Sequence, residues 1–329
     1  MPDALDLQAT PARIRVAATA AGVDVSRALE IAGASPSAQA WRRFLGLVLL
    51  LLGTGLVLSG VVSFFAFNWV SLGRFAKFAL LEAGIVICAA IGLWRLRDIT
   101  GRVALFAASV LVGPLLAVFG QTYQTGADAW GLFAAWALLI LPWAIASTFT
   151  ALWVLEVALC DLALTLWWNQ VPEIHYAEWM YLLVLLAGLH AIAVAAWEWQ
   201  YRRPTPWLDA RWAPRLAVAT AFGFLLAPAL DFIFGVLWSR GTAPRVGFFV
   251  LCAAIPLTIL VYKRVREDLF MLTVAGGSVL ILITSGVGRL LFDVLKLDFG
   301  GALLMGMFVI AEVVAAVNWL RGSVRAEVN

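Results

Sequence analysis

Five acidic residues and one histidine interrupt stretches of the chain that are otherwise apolar: Glu82, Glu156, Asp161, Asp231, Glu312 and His190. In hydrocarbon a charged side chain at a helix centre costs about 2.5–3.5 kcal/mol, so each of these groups needs water, a partner or a bound proton. Asp231 closes the segment Ala227-Pro228-Ala229-Leu230-Asp231. A carbonyl freed by proline beside a carboxylate makes a reasonable cation or proton site. The plainer alternative is a neutral Asp231 hydrogen-bonded to a neighbouring helix. Glu156 and Asp161 are five residues apart, which at roughly 100° per residue sets them about 140° apart around a helix. A tight proton-sharing dyad between the two is therefore not expected, and each should serve a different side of its helix. Glu82 and Glu312 are read as lying nearer the ends of their segments, within reach of the interface. His190, in Gly188-Leu189-His190-Ala191, can relay protons if an acid is near, or simply donate one hydrogen bond and accept another.

A second polar group is Gly120-Gln121-Thr122-Tyr123-Gln124-Thr125-Gly126-Ala127-Asp128. Gly113-Pro114 precedes it, and proline withholds an amide from the helix ladder. A half-wound or re-entrant segment is expected there. Gln121, Thr122, Tyr123 and Gln124 can line a solute or water pocket, or tie helix ends together. Asp128 is placed to cap the following helix. Asn68 ends the first apolar segment and is expected at the same depth as this cluster.

These positions need long helices to hold them. The chain is 63% hydrophobic and 13% charged, a balance that makes lipid the solvent for most of it. Ten stretches approach the roughly 20 residues needed to cross about 30 Å of hydrocarbon. They run over residues 44–68, 76–94, 102–119, 129–147, 150–167, 179–197, 216–237, 247–261, 270–287 and 300–320. Runs apolar on every face, such as residues 47–52, argue against barrel strands. The expected fold is an all-α polytopic transmembrane bundle. With the N-terminus inside, seventeen of the 23 basic residues fall on the cytoplasmic side and six outside. Reading residues 129–168 as one crossing would level that bias, so a tight hairpin is expected at residues 147–150, with both termini cytoplasmic.

The remaining organisation follows from punctuation. Residues 1–43 read as a cytoplasmic extension: a helix from Pro11, a break at Ala21-Gly22, a second short helix capped by Asp24, then a linker. No removable signal sequence is expected. Residues 201–215, with Pro204, Pro206 and Pro214, separate a six-span half (44–200) from a four-span half (216–320), and 321–329 form a tail. Glycines at 46, 53, 55, 60, 276, 277, 286, 288, 300, 301 and 306 read as close-packing positions. Cys88, Cys160 and Cys252 all fall inside spans, where a disulfide scaffold is not expected. No metal spacing, phosphate loop, dinucleotide glycine pattern or catalytic serine order is found, so no metal or other cofactor is implied. The small net charge of +3 asks for no nucleic-acid partner.

The first half resembles the bacterial membrane proteins grouped as DUF2157. The resemblance is carried by Trp41-Arg42-Arg43-Phe44, by the phenylalanine-rich approach to Asn68-Trp69, by the glycine-bounded polar run at 120–128, and by residues 133–143. It spans roughly residues 40–200. It implies an integral protein of a bacterial inner membrane, with Asn68, Gln121, Tyr123 and Asp128 at characteristic polar positions, and it implies no reaction. Three functions remain open at this point. Transport or permeation of a small solute or ion, with proton coupling, rests on the ten spans, on the buried acids and on the third, seventh and eighth helices, expected to be interrupted at Pro114, Pro228 and Pro256. A sensor, scaffold or assembly protein, with a membrane partner or self-association, rests on the short loops. A membrane enzyme has no motif behind it.

Overall fold

A computed structural model describes residues 11–31, 38–68, 72–126, 128–170, 176–201, 211–235, 241–266 and 268–325. The chain divides into two units, Met1–Gly73 and Arg74–Asn329.

The first unit holds α1 (Pro11–Ala20), α2 (Val25–Ile31) and the long α3 (Ala38–Asn68). The two short helices pack on each other, burying Ala18 and Leu29. Gly22 turns the chain between them with φ +65°, a conformation that needs no Cβ. Asp24 caps α2 as expected, its Oδ1 accepting from the Ser26 amide at 2.8 Å and the Ser26 hydroxyl at 2.6 Å. Of the linker expected at residues 34–40, residues 34–37 lie outside the described residues, and residues 38–40 are instead the first turn of α3.

The second unit is a helical bundle: α4 (Arg74–Trp94), α5 (Ile99–Tyr123), α6 (Ala129–Ser147), α7 (Thr150–Gln170), α8 (Tyr176–Tyr201), α9 (Trp212–Phe234), α10 (Ala243–Arg264), α11 (Leu269–Arg289) and α12 (Phe299–Arg325). A π-helical turn, Leu290–Val294, prolongs α11. With α3, ten described helices are long and apolar enough to cross a membrane. The protein is thus a multi-pass, all-α membrane protein. Large apolar side chains point outward along these helices, among them Val86, Leu138, Ile192, Leu257 and Ile310. Such a surface is stable only against lipid tails.

Helix α9 is the centre of the back half, packed between α8, α10 and α11. Phe222, Leu225, Leu251, Met271 and Ala275 form its core. Gly247 makes the tightest approach there: a methyl on it would fall 2.5 Å from Pro228 Cγ, so α10 lies directly on the Pro228 ring of α9. In the front half α5 is the most buried span, with Leu105, Ala108 and Ser109 fully enclosed. Gly113 leaves room for the Trp136 ring, whose Nε1 donates to the Ser109 carbonyl at 2.7 Å.

Several expectations change. The third, seventh and eighth spans are continuous helices through Pro114, Pro228 and Pro256, not interrupted ones. A proline costs one ladder bond, and a packed helix tolerates that loss. For the same reason no half-wound segment precedes Gln124; residues 121–123 are the last turn of α5. Pro214 stands in the first turn of α9, where an amide has no intrahelical partner to lose. The hairpin at residues 147–150 is present, with Thr148 left-handed at φ 50° and the Ser147 hydroxyl accepting from the Phe149 amide at 3.3 Å. Of the glycines expected to pack closely, Gly276, Gly288 and Gly301 face neighbouring side chains, whereas Gly46, Gly53, Gly55, Gly60, Gly277, Gly286, Gly300 and Gly306 meet nothing among the described residues.

Candidate functional site

Helix α7 carries two acids on opposite business. One of its faces (Trp153, Glu156, Val157, Cys160, Leu164, Trp167) floors a groove whose walls are α6 and α8. The groove encloses about 780 Å³. Glu156 lies in it only 6% exposed, and its Oε1 is buried without a hydrogen bond among the described residues. Asp161 is off that face, as the angle around the helix requires, and meets α8 instead.

There the Asp161 Oδ2 lies 3.6 Å from His190 Nε2, both side chains largely buried. The other histidine nitrogen, Nδ1, is 3.1 Å from the Leu186 carbonyl, one turn back along α8. A carbonyl only accepts, so Nδ1 carries a hydrogen and Nε2 faces the carboxyl. A single proton between Nε2 and Oδ2 then leaves the pair neutral overall, whichever atom holds it. Phe224 of α9 closes the site edge-on, its ring centre 5.6 Å from that of His190. Asp161 Oδ1 is buried with no hydrogen bond among the described residues, leaving room for one further donor.

The other acids stand apart. Asp231 is half-buried on α9; its Oδ2 is bonded to nothing among the described residues, and it does not line the groove. Glu312 and Glu82 lie near the middles of α12 and α4, not near their ends as expected. Glu312 accepts from the Thr284 hydroxyl of α11 at 2.5 Å, which satisfies one oxygen, while Glu82 is exposed.

The cluster after α5 borders a second cavity of about 430 Å³, lined by Gly120, Gln121, Thr125, Asp128 and neighbouring apolar residues of α5 and α6. Thr122 is half-buried, whereas Gln121 and Gln124 are exposed, and Gln124 takes the left-handed conformation that ends α5. Tyr123 is not turned inward as a pocket group; it packs on Phe119 and Phe78. Asp128 occupies the position before α6 but makes no capping bond. Its Oδ2 accepts from Trp130 Nε1 at 3.3 Å instead. The Asn68 side chain, expected beside this cluster, lies outside the described residues.

Sequence reasoning missed the best-bonded polar assembly of the molecule. At the ends of α8 to α11, Glu198 receives Arg211 (2.9 Å), Arg266 (3.0 Å) and the Tyr262 hydroxyl (3.0 Å). Asp268 receives Arg211 (2.9 Å) and Arg215 (3.1 Å), while its other oxygen caps α11 through the Phe270 amide at 3.1 Å. Burial pushes the Asp268 carboxyl up, but the bonds from Arg211 and Arg215 outweigh it and hold the group below its ordinary value. Burial likewise lowers the Arg211 guanidinium, and its bonds to Asp268 and Glu198 reverse that effect. The signal was available: two acids, Glu198 and Asp268, flank helix ends otherwise crowded with arginine.

Comparison with known proteins adds one relation. A family described as a predicted membrane protein, DUF2157, matches residues 23–153, less than half of the chain. The match begins earlier and ends earlier than the expected 40–200. It takes in α2 to α6 with the cluster at 120–128 and the first residues of α7, and it stops before Glu156, Asp161 and His190. No curated protein and no solved structure matches the chain. The chain is therefore similar to DUF2157 proteins in its front part, and its α7–α8 acids stand outside that similarity.

Proposed function

We propose that the protein is a proton-coupled transporter of a small solute, with Asp161 and His190 sharing the coupling proton. The reading is carried by their 3.6 Å approach inside the bundle. An acid and an imidazole that together keep one proton can exchange it without placing net charge in hydrocarbon. The groove beside them gives a solute somewhere to sit, and the cavity near Gln121 gives an approach from one membrane face. On the distribution of basic residues, that face is the outer one and both termini are cytoplasmic; the likeness to DUF2157 proteins supports a bacterial inner membrane as the location.

The test is flux into liposomes carrying the purified protein, across a broad solute panel, with and without a pH gradient. Gradient-driven uptake is expected, and Asp161→Asn should remove the gradient dependence while leaving the protein folded. No flux above empty vesicles for any solute would refute the proposal. Unchanged flux in Asp231→Asn would take that carboxylate out of the mechanism.

A second reading, a non-catalytic scaffold or assembly protein, draws on a different observation. Glu312 of α12 is tied to the Thr284 hydroxyl of α11. A hydrogen bond of this kind between neighbouring helices serves their packing.

A further inference from the structure

We propose that the groove between α6, α7 and α8 binds a lipophilic organic monocation, held by Glu156 in exchange for that residue's proton. The inference rests on the transport reading only in naming its substrate class; the binding site itself stands on separate geometry.

The groove selects by exclusion. Its lining is mostly apolar, with Leu141, Ala137, Leu164 and Ala193 among the walls and Gln200 and the indole N–H groups as the few polar atoms beside Glu156, so a hydrophilic solute would lose more hydrogen bonds to water than it regained. Among the lining residues Glu156 is the one carboxyl, and no lining residue is basic. An anion would meet the carboxylate and nothing to offset it. A neutral apolar molecule would leave Glu156 Oε1 as it is now, buried and without a hydrogen bond among the described residues. A diffuse cation satisfies both demands at once. Its apolar body fits the walls, and its charge neutralises a carboxylate that hydrocarbon would otherwise keep protonated.

The indole rings point to the same class. Trp153 stands one turn before Glu156 on the groove floor, Trp197 lies on the α8 wall and packs with Trp153, and Trp130 and Trp167 line the opposite end. The faces of indoles attract cations that shed their water easily. The volume of about 780 Å³ falls within the roughly 300–1,000 Å³ of small-molecule sites. The groove also opens sideways, since Leu138, Ile192 and Trp199 on its rim are exposed on the lipid-facing surface. A ligand dissolved in the bilayer can enter without crossing water.

The exchange balances. The cation enters, the Glu156 carboxyl releases one proton to water, and the groove ends with one positive and one negative charge where it had none. Other titratable groups near α7 are few. The Cys160 thiol lines the groove one turn on; Asp161 and His190 face each other away from it. Helix α6 carries no ionisable residue, and Arg102, Tyr123, Arg215 and Asp231, on α5 and α9, do not line the groove.

The experiment is equilibrium binding of radiolabelled tetraphenylphosphonium to the full chain in neutral lipid nanodiscs, with empty nanodiscs as blank and tetraphenylborate as the anionic counterpart of the same shape. Saturable cation binding is expected, with release of one proton per cation into weak buffer and no saturable uptake of the anion. Glu156→Gln should weaken binding about tenfold or more and abolish proton release. Glu156→Asp keeps the charge and should keep both, which guards against a variant that merely misfolds. Equal binding by the wild type and Glu156→Gln, equal uptake of cation and anion, or no binding above empty nanodiscs would each overturn the site. Cation binding without flux in liposomes would refute transport and leave the site standing. Flux of some other solute without cation binding would do the reverse.

Discussion

The polar groups at the ends of α8 to α11 and those inside α7 and α8 are built on opposite terms. Around Glu198 and Asp268, three arginines, a tyrosine hydroxyl and a backbone amide meet two carboxylates at 2.9–3.1 Å. Around Glu156 and Asp161, each acid keeps one buried oxygen bonded to nothing among the described residues. The first arrangement spends its charges on one another and ties four helices together. The second withholds them. A group left short of partners in hydrocarbon is costly to keep, and such groups mark chemistry more often than architecture.

That contrast can be broken in order of effect. Asp268→Ala should be the most damaging, costing about 3 kcal/mol, because it strips two arginines of their partner and removes the α11 cap. Chemical unfolding in detergent micelles measures it, and a loss below half that figure would mean the clamp is ornamental. The same network should respond to acid. The Asp268 carboxyl is held below its ordinary value in the fold, so its contribution is complete above the unfolded carboxyl range near about pH 4. It is lost as the pH falls through the lower folded value. The stability gap between the wild type and Asp268→Asn should therefore be constant from pH 7 to 5 and shrink toward pH 3; a constant gap throughout would exclude the mechanism. Tyr262→Phe removes one hydrogen bond to Glu198 and should cost about 1 kcal/mol in the same assay. The smallest effect is expected within the membrane. Glu156→Gln should change stability by less than about 1 kcal/mol, and in either direction, since no bond is lost. A large destabilisation there would make Glu156 a structural residue and erase the distinction.

Much of the fold could be read before any coordinates. Continuous apolar runs set the ten spans, and the hairpin at Thr148 followed from the length of residues 129–168 and from charge bias. Lipid demands long apolar segments, so length and hydropathy leave little choice. Prolines misled in the opposite sense: Pro114, Pro228 and Pro256 suggested broken helices, yet packing holds α5, α9 and α10 continuous. For the candidate site, the opposed faces of Glu156 and Asp161 followed from helix geometry alone. Their partners did not. That His190 meets Asp161, and that Glu198 meets Arg266, depend on which helices pack together and at what height. No local spacing encodes that register in a bundle whose helices are apolar all round.

Only Thr148 and Phe149 separate α6 from α7, and the left-handed Thr148 folds that junction shut. At the far end the two helices are joined by a long bond, Trp130 amide to Gln170 Oε1 at 3.5 Å. A wall and the floor of the groove are thus sprung like a clothes-peg, pinned at one tip and barely latched at the other. A splay of about 5° over roughly 30 Å of helix parts the free tips by about 2.6 Å. The widening grows steadily from the hinge and is greatest between Trp130 and Trp167, so that end of the groove yields most to a bulky guest.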